Sequence, residues 1–264
     1  MSSNGLSDTA ANLSYTKFLF LLPCDDDAAT LAKIRAAGSN ISRIFFNDYD
    51  ADGTRDPQPQ ETIQFLSADA SGLGRDGIGA ARFVAQVSGN YRPRLEEVAG
   101  DLKRRVNGAA DIIMLDGAER LPRYSSAEMQ KFAYKPALSR QSGRVARNAV
   151  IVPMSKTAEW WAKSALERHS YFYPRHEDPG GSPVKGHAKA AEAGITKVFR
   201  RLYHNPDGHQ RPNEFDFITY FECTDENLPV FDQICRALRD QRQNPEWKYV
   251  LEGPEWRGRR VLRW

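Results

Sequence analysis

One segment of strict alternation constrains the fold of this chain more than any other feature. Residues 215–222 read FDFITYFE. The alternation places the side chains in two sets, with Phe215, Phe217, Thr219 and Phe221 on one face and Asp216, Ile218 and Tyr220 on the other. A period of two is typical of a β-strand, and the large side chains indicate a strand within a packed sheet. The chain must therefore build a sheet around this segment.

The length and charge of the chain limit its organisation and its partners. With 264 residues it can form one large domain or two of ordinary size, and we predict two related halves. Its 37 basic and 34 acidic residues give a formal net charge of +3 and are scattered along the sequence without a basic block. This distribution gives no electrostatic basis for binding nucleic acid.

Cysteine usage and the first residues bear on where the protein acts. The three cysteines, Cys24, Cys223 and Cys235, form no CxxC motif, and their odd number fits a reducing compartment and buried, inert thiols. Residues 1–16 are polar, are predicted to be disordered and lack the features of a secretory signal. The apolar segment 18–23 is too short to cross a bilayer and reads as a strand. We therefore predict a cytoplasmic protein with no membrane partner.

Strands and helices are mixed in the amino-terminal half, residues 17–147. Predicted strands cover 17–23, 42–47, 62–67 and 111–115, and predicted helices cover 28–37, 78–88 and a segment from Pro93. The last of these helices carries an apolar stripe formed by Leu95, Val98, Ala99, Leu102 and Val106. Residues 117–147 read as a connector with one short helix near 126–134.

Three glycines of this half imitate a dinucleotide-binding motif. Gly72, Gly74 and Gly77 have the GxGxxG spacing that brings backbone N–H groups to a pyrophosphate at a helix N-terminus. The acidic residue expected about 20 positions later falls on Glu96 and Glu97, inside a predicted helix. We therefore interpret the motif as a flexible glycine loop.

The carboxy-terminal half, residues 148–264, begins with a strand at 148–154 and a helix from Ser155. The apolar stripe of this helix comprises Ala158, Trp161, Ala162, Ala165, Leu166, His169, Phe172 and Tyr173, with Trp160 just beside it. Prolines and two adjacent glycines in residues 174–186 must break the helix, and helical character resumes at His187.

The remaining elements of this half complete a known plan. Strands are predicted at 198–204 and 215–222, followed by a helix at 226–242 and a strand at 247–252. The order strand, helices, strand, strand, helix, strand is the βαββαβ plan of a ferredoxin-like α+β fold, with an antiparallel sheet covered on one face by helices. The amino-terminal half has a similar mixture, so an internal repeat is predicted.

Three segments of the carboxy-terminal half resemble one family. They are VIVPMSKTAEWW at 150–161, HAKAAEAGITKVFRRLYH at 187–204 and DFITYFE at 216–222. In this order and spacing they resemble the chlorite dismutase family of haem b proteins. The resemblance covers roughly residues 148–252. It implies two ferredoxin-like halves packed as a dimeric α+β barrel within one chain.

The resemblance also implies roles for five residues. His187 matches the axial ligand of the haem iron, and Arg200 matches the distal arginine on the substrate side. Lys156, Trp160 and Trp161 match residues that line the haem edge and contact its propionates. The chemistry is compatible, because imidazole ligates haem iron, a guanidinium orients a small oxyanion and tryptophans form an apolar wall. From the residues alone, His187 would be a surface histidine and the tryptophans core residues.

Two positions leave alternatives open. Counting forward from the tryptophans places the ligand at His176, whereas counting back from the arginine places it at His187, so residues 174–186 read as an insertion; we prefer His187. The family's chlorite-degrading members support the ligand with a glutamate, for which the nearest match is Gln243, with Glu246 close by. A neutral amide there would make the imidazole less electron-rich.

The resemblance implies a haem b-dependent oxidoreductase that converts chlorite to chloride and O₂. The alternative is a haem-dependent peroxidase or oxygenase of the same fold that acts on an organic substrate. A haem carrier or sensor without turnover is a third possibility, and a coproheme decarboxylase is disfavoured by Arg200. Many members of the family form rings, commonly pentamers, so a homo-oligomer is implied.

Overall fold

The strands of this protein form one antiparallel sheet that closes on itself. A computed structural model describes residues 14–44, 62–69, 73–119, 127–129, 131, 146–175, 184–207 and 214–264. Its strands are β1 (Tyr15–Pro23), β2 (Thr62–Ala68), β3 (Phe83–Gly89), β4 (Ala110–Glu119), β5 (Asn148–Lys156), β6 (Phe199–His204), β7 (Phe217–Cys223), β8 (Val250–Glu252) and β9 (Trp256–Val261). Its main helices are α1 (Ala28–Ile44), α2 (Arg92–Val106), α3 (Ala158–Ala162), α4 (Ala165–Ser170), α5 (Gly186–Ala191) and α6 (Leu228–Arg239).

The sheet order is β7-β6-β4-β1-β3-β2-β9-β5, and pairing of β5 with β7 closes it into a barrel. The short strand β8 continues the β9 edge along the end of β5. Within the first half the strand order is β4-β1-β3-β2, and in the second half β6-β7-β5 is followed by β8 and β9. Each half therefore places its first and third strands together at the centre of its part of the sheet.

The seam between β4 and β6 is short and depends on a glycine. The register pairs Ala118 with His204 and Glu119 with Tyr203. A Cβ on Gly117 would overlap the Cβ of Tyr203. Since only glycine fits this contact without displacing β6, Gly117 allows the two halves to meet on this side of the barrel.

Buried apolar side chains fill the barrel and two outer layers. Inside the barrel lie Phe18, Phe20, Leu66, Val84, Ile151, Phe199, Tyr203, Ile218, Tyr220 and Trp256. The helices α1 and α2 cover the outer face of the first half, and α6 covers that of the second half. Among the described residues, no helix is both long and apolar enough to cross a membrane.

The alternating segment becomes β7, as predicted. Ile218 and Tyr220 point into the barrel, whereas Phe217 and Phe221 pack against the outer layer. The Phe221 ring meets the Phe231 ring of α6 edge to face, with centroids 5.1 Å apart. Both faces of the strand therefore pack against other parts of the protein, as the large side chains indicated, although Phe217 and Phe221 are only partly buried.

Two predictions in the first half are wrong. Residues 42–44 were assigned to a strand at 42–47, but they form the last turn of α1, and residues 45–47 lie outside the described part. The helix extends this far because Ile34, Ala37 and Ile41 continue its buried apolar stripe. The predicted helix at 78–88 is a 3-10 turn followed by β3, which pairs with β1 on one edge and β2 on the other.

Two predictions in the second half are also corrected. The predicted helix from Ser155 begins only at Ala158 and is split into α3 and α4. Thr157 caps α3, and Ser164 caps α4 through a reciprocal capping box with Glu167, so two N-caps seven residues apart impose the break. Of the predicted stripe, Leu166 is 77% exposed.

The carboxyl terminus holds the other correction. The predicted strand at 247–252 starts at Val250, because residues 245–249 form a 3-10 turn. The strand β9 was not predicted, since three arginines in WRGRRV hide its alternation. Of these, Arg260 points inward and pairs with the buried Glu222, Nη1 to Oε2 3.0 Å.

Several smaller predictions can be compared with the structure. Gly74 and Gly77 lead into the 3-10 turn and then β3, so no helix N-terminus follows the glycine motif, and Gly72 lies outside the described residues. All three cysteines were predicted to be buried, but Cys24 is exposed. Cys223 is buried as predicted, and its burial is the main reason that the pKa of its thiol rises to about 12. Tyr15 and Thr16 were predicted to belong to a disordered tail but are the first residues of β1, and residues 1–13 of the predicted tail lie outside the described part of the chain.

Candidate functional site

The helix α5 holds His187 at its amino-terminal end. Gly186 begins this helix with φ 67°, and a Cβ there would lie 2.5 Å from the carbonyl oxygen of Tyr173. The backbone N–H of His187 donates to the carbonyl of Tyr171 at 3.0 Å, and its ring lies beside Phe172 with centroids 5.2 Å apart. The backbone hydrogen bond therefore fixes the position of the His187 main chain, and the Phe172 ring restricts rotation of the imidazole.

A buried carboxylate binds the imidazole. His187 Nδ1 lies 2.7 Å from Glu246 Oε2, and Lys156 Nζ lies 2.6 Å from Glu246 Oε1. The side chains of Lys156 and Glu246 are only 5% and 4% exposed. The three residues come from β5, from α5 and from the 3-10 turn at Pro245–Tyr249, so the tertiary fold alone brings them together.

This contact resolves the question of the supporting residue. The nearest sequence match was Gln243, but its described role is to accept hydrogen bonds at its backbone carbonyl from the N–H groups of Lys185 and Gly186. Glu246, three residues later, makes the contact with the imidazole. A carboxylate therefore supports His187, and the expected loss of electron density through a neutral amide does not apply.

The charges around Glu246 determine which group donates the hydrogen bond between Glu246 and His187. Burial acts to raise the pKa of Glu246, but the positive charge of Lys156 and the contact with His187 outweigh it and hold the pKa well below its ordinary value. An ionised carboxylate only accepts hydrogen bonds, so Nδ1 of His187 is the donor in this contact. Within the described part of the chain, Nε2 makes no hydrogen bond. Nε2 is therefore the ring nitrogen through which His187 could ligate a metal.

Lys156 and Trp160 lie deeper than the resemblance implied. Lys156 was predicted to contact a haem propionate, but its ammonium group is buried against Glu246 and lies 4.2 Å from the Trp160 ring centroid. Trp160 is fully buried, and its ring packs against those of Tyr171 and Tyr249 at centroid distances of 5.5 and 5.7 Å. Lys156 therefore binds the carboxylate that contacts His187, and Trp160 packs against Lys156.

Trp161 occupies a different position from its neighbour. It is partly exposed, and its indole Nε1 donates to Asp216 Oδ2 at 3.1 Å. The Arg168 guanidinium lies over its ring at 5.6 Å from the centroid. Of the two tryptophans, Trp161 is the one with surface left to contact a ligand.

Arg200 lies on β6 with its side chain on the outer face of the barrel. The register pairs it with Phe221, whose ring belongs to the layer under α6, while the neighbouring Phe199 and Tyr203 point into the barrel. Arg200 is only partly buried. Arg201, the next residue of β6, lies on the opposite face of the strand and pairs with Glu119 at 3.1 Å.

The structure thus brings some predicted residues together and adds two. Lys156, Trp161 and His187 are linked through Glu246 and Asp216, and Trp160 packs against the Lys156 ammonium group. Arg200 belongs to a separate strand. Sequence reasoning named Glu246 only as a neighbour of Gln243, and treated Asp216 only as one face of a strand. The rival ligand His176 lies outside the described residues.

Comparison with solved structures shows which known fold this chain has. No known family profile matches the sequence. A structure of chlorite dismutase from Candidatus Nitrospira defluvii carrying an arginine-to-glutamate change aligns with a TM-score of 0.67 and 18% identity, over 94% of this chain and 91% of that chain. The chain has the chlorite dismutase fold.

Other structures of this bacterial protein align equally well. Its complex with imidazole gives a TM-score of 0.65 at 20% identity, covering 94% of this chain and 91% of that chain. Its tryptophan-to-phenylalanine variant in complex with cyanide gives 0.65 at 19% identity, covering 94% and 90%. The chlorite dismutase fold therefore spans both halves, although the sequence resemblance covered only residues 148–252.

Proposed function

We propose that this protein is a haem b-dependent oxidoreductase of the chlorite dismutase type, which converts chlorite to chloride and O₂. The observation that carries the proposal is the Nδ1 contact of His187 with the buried carboxylate of Glu246, on a chlorite dismutase fold. Haem proteins use an imidazole with a carboxylate partner in this way to keep the metal-binding nitrogen basic.

The residues present fit a haem. His187 would hold the haem iron through Nε2, and its side chain is 19% exposed, so that part of the ring remains accessible. Trp161 would contribute a flat apolar wall, and Lys156 would hold Glu246 ionised instead of binding a propionate. The bound group would supply redox chemistry at iron.

Arg200 would act on the substrate. Its guanidinium is always charged and offers a planar set of donors, which suits a small oxyanion. In this role it holds chlorite and stabilises the negative charge that shifts between its oxygens as a Cl–O bond breaks. The overall change is balanced, since ClO₂⁻ gives Cl⁻ and O₂ with no other reactant.

The assembly and location follow from the same proposal. We interpret the halves as ferredoxin-like units packed as a dimeric α+β barrel, which the shared strand orders support. The domain division at 17–147 and 148–264 follows these halves. A homo-oligomer, commonly a pentamer in the family, and a cytoplasmic location complete the proposal.

One observation favours the alternative, a peroxidase or oxygenase acting on an organic substrate. Arg175 and Val184 exchange backbone hydrogen bonds of 3.1 and 2.9 Å. Val184 lies two residues before α5 and three before His187, so this paired end of the predicted insertion adjoins the candidate ligand. In the alternative function, the insertion at 174–186 would shape the pocket for a larger substrate.

Oxygen release separates the two functions. We expect the haem-loaded protein to release one O₂ for each chlorite consumed, measured with an oxygen electrode while chloride is followed in parallel. Protein without haem is the control and should release none. Haem-loaded protein that releases no O₂, but oxidises a phenol with hydrogen peroxide, would refute the chlorite reaction and support the alternative.

A further inference from the structure

We propose that Asp216 is a positioning residue of the haem pocket, whose buried carboxylate fixes Trp161 and the end of β5 that carries Lys156. This inference rests on the proposed function, because it assigns Asp216 to the same site. The carboxylate touches neither substrate nor iron in this role. It acts through the two residues that it binds.

The geometry supports this role from two sides. Asp216 Oδ2 accepts a hydrogen bond from the Lys156 backbone N–H at 2.8 Å and another from the Trp161 indole at 3.1 Å. The residue is 1% exposed. A single oxygen atom thus ties the strand β5 to the helix α3.

The position of Asp216 explains why a side chain is needed there. The pairing of β5 with β7 ends at Met154 and Phe217, and the next residues of β5 pair with β8 on the other edge. The Lys156 N–H therefore lies beyond the β5–β7 ladder, and the Asp216 carboxylate takes the place of a strand partner. A buried N–H without an acceptor would cost free energy, so this contact holds β5 in register up to Lys156.

The helix that carries Trp161 cannot orient the indole alone. With five residues, α3 is too short to be stable without tertiary contacts. The hydrogen-bond partner of the indole, Asp216, is a buried carboxylate. Burying an ionised group costs free energy unless hydrogen bonds replace those lost to water. Charge-assisted hydrogen bonds are stronger and more directional than neutral ones, which suits fixing a ring. The indole edge is therefore set by Asp216 more firmly than a neutral partner would allow.

Asp216→Asn tests the proposal, because it keeps the shape and removes the charge. In protein without haem, we expect the Trp161 indole N–H resonance in a ¹H–¹⁵N spectrum to move upfield as its hydrogen bond weakens. Haem affinity, measured by titration, should fall by about 10- to 100-fold, the usual effect of losing a residue that orients a metal site. In a Trp161→Phe background the same substitution should cost less, because the indole donor is already absent.

A second buried carboxylate provides the matched control. Glu222 has a fully buried side chain but lies in the barrel, where it binds Tyr220 and Arg260. Glu222→Gln should lower stability while leaving the Trp161 resonance and haem affinity unchanged. This separates positioning from a general loss of stability.

The outcomes distinguish this inference from the proposed function. Wild-type protein that binds no haem would refute the proposed function itself. If the wild type binds haem, an unmoved Trp161 resonance in Asp216→Asn, or a haem affinity of this variant equal to that of the wild type, overturns the positioning role. Should Asp216→Asn not fold, Trp161→Phe alone must lower haem affinity, and an unchanged affinity overturns the inference.

Discussion

Replacing Glu246 by glutamine is expected to lower the free energy of unfolding by about 3–5 kcal/mol, the usual cost of breaking a buried ion pair. The substitution leaves the Lys156 ammonium 5% exposed without its counter-ion. Denaturant unfolding monitored by circular dichroism measures the change. The double variant Lys156→Met/Glu246→Gln should recover part of the loss, because it removes both charges.

The matched control is Glu97→Gln. Glu97 also lies 2.7 Å from a cation, Arg94, but its side chain is 66% exposed. Solvent-exposed pairs of this kind contribute about 0–1 kcal/mol, so this variant should stay close to the wild type. Equal losses of unfolding free energy in Glu246→Gln and Glu97→Gln would show that the buried ion pair stabilises the protein no more than an exposed one.

The pH dependence of the Glu246 effect has a definite sign. Its pKa in the folded protein is held below the ordinary value of 4.5, so the folded state favours the ionised form. The stabilisation is fully present above pH 4.5 and is lost as the pH falls towards the folded-state pKa. The stability difference between wild type and Glu246→Gln should therefore narrow below that pH, and a constant difference would contradict the assignment.

Replacing Arg200 by alanine should reduce chlorite turnover by about 10²- to 10³-fold, the range found when a donor to developing negative charge is removed. Haem affinity should be unchanged, because the Arg200 side chain belongs to a strand separate from the His187 cluster. The measurement is the initial rate of O₂ release at saturating chlorite, with haem content fixed by absorbance.

The neighbouring arginine provides the control for this variant. Arg201 follows directly on β6 but binds Glu119 at the seam of the barrel. Arg201→Ala should lower stability and leave the turnover of folded, haem-loaded protein near the wild-type rate. Undiminished turnover in Arg200→Ala would refute its role, whatever the control shows.

Secondary-structure elements were predicted correctly from the sequence where a local pattern of apolar side chains determines them. The α2 stripe from Leu95 to Val106 and the alternation of β7 are local patterns that tertiary contacts did not override. Residues 78–88 were misassigned because β3 is buried on both faces, so its side chains do not alternate regularly between apolar and polar. The strand β9 was missed because the partners that allow Arg260 to be buried, among them Glu222, lie far away in the sequence.

The site shows the same division. His187 carries no signature of its own and was found only through the resemblance, since one histidine is not a motif. Its partner Glu246 lies 59 residues further along the chain, and a one-dimensional count pointed to Gln243. Trp160 and Trp161 are adjacent in sequence, yet one is fully buried and the other is bound to Asp216. The candidate residues could be named from the sequence, but which of them contact one another depends on the tertiary structure.

Titration of purified protein with haem b, followed by the Soret absorbance, tests the central claim that His187 is a haem ligand. We predict saturable one-to-one binding by the wild type, and affinity at least about tenfold lower in His187→Ala. The variants His169→Ala and His176→Ala should bind as the wild type does. Undiminished affinity in His187→Ala, together with a loss in His176→Ala, would contradict the assignment.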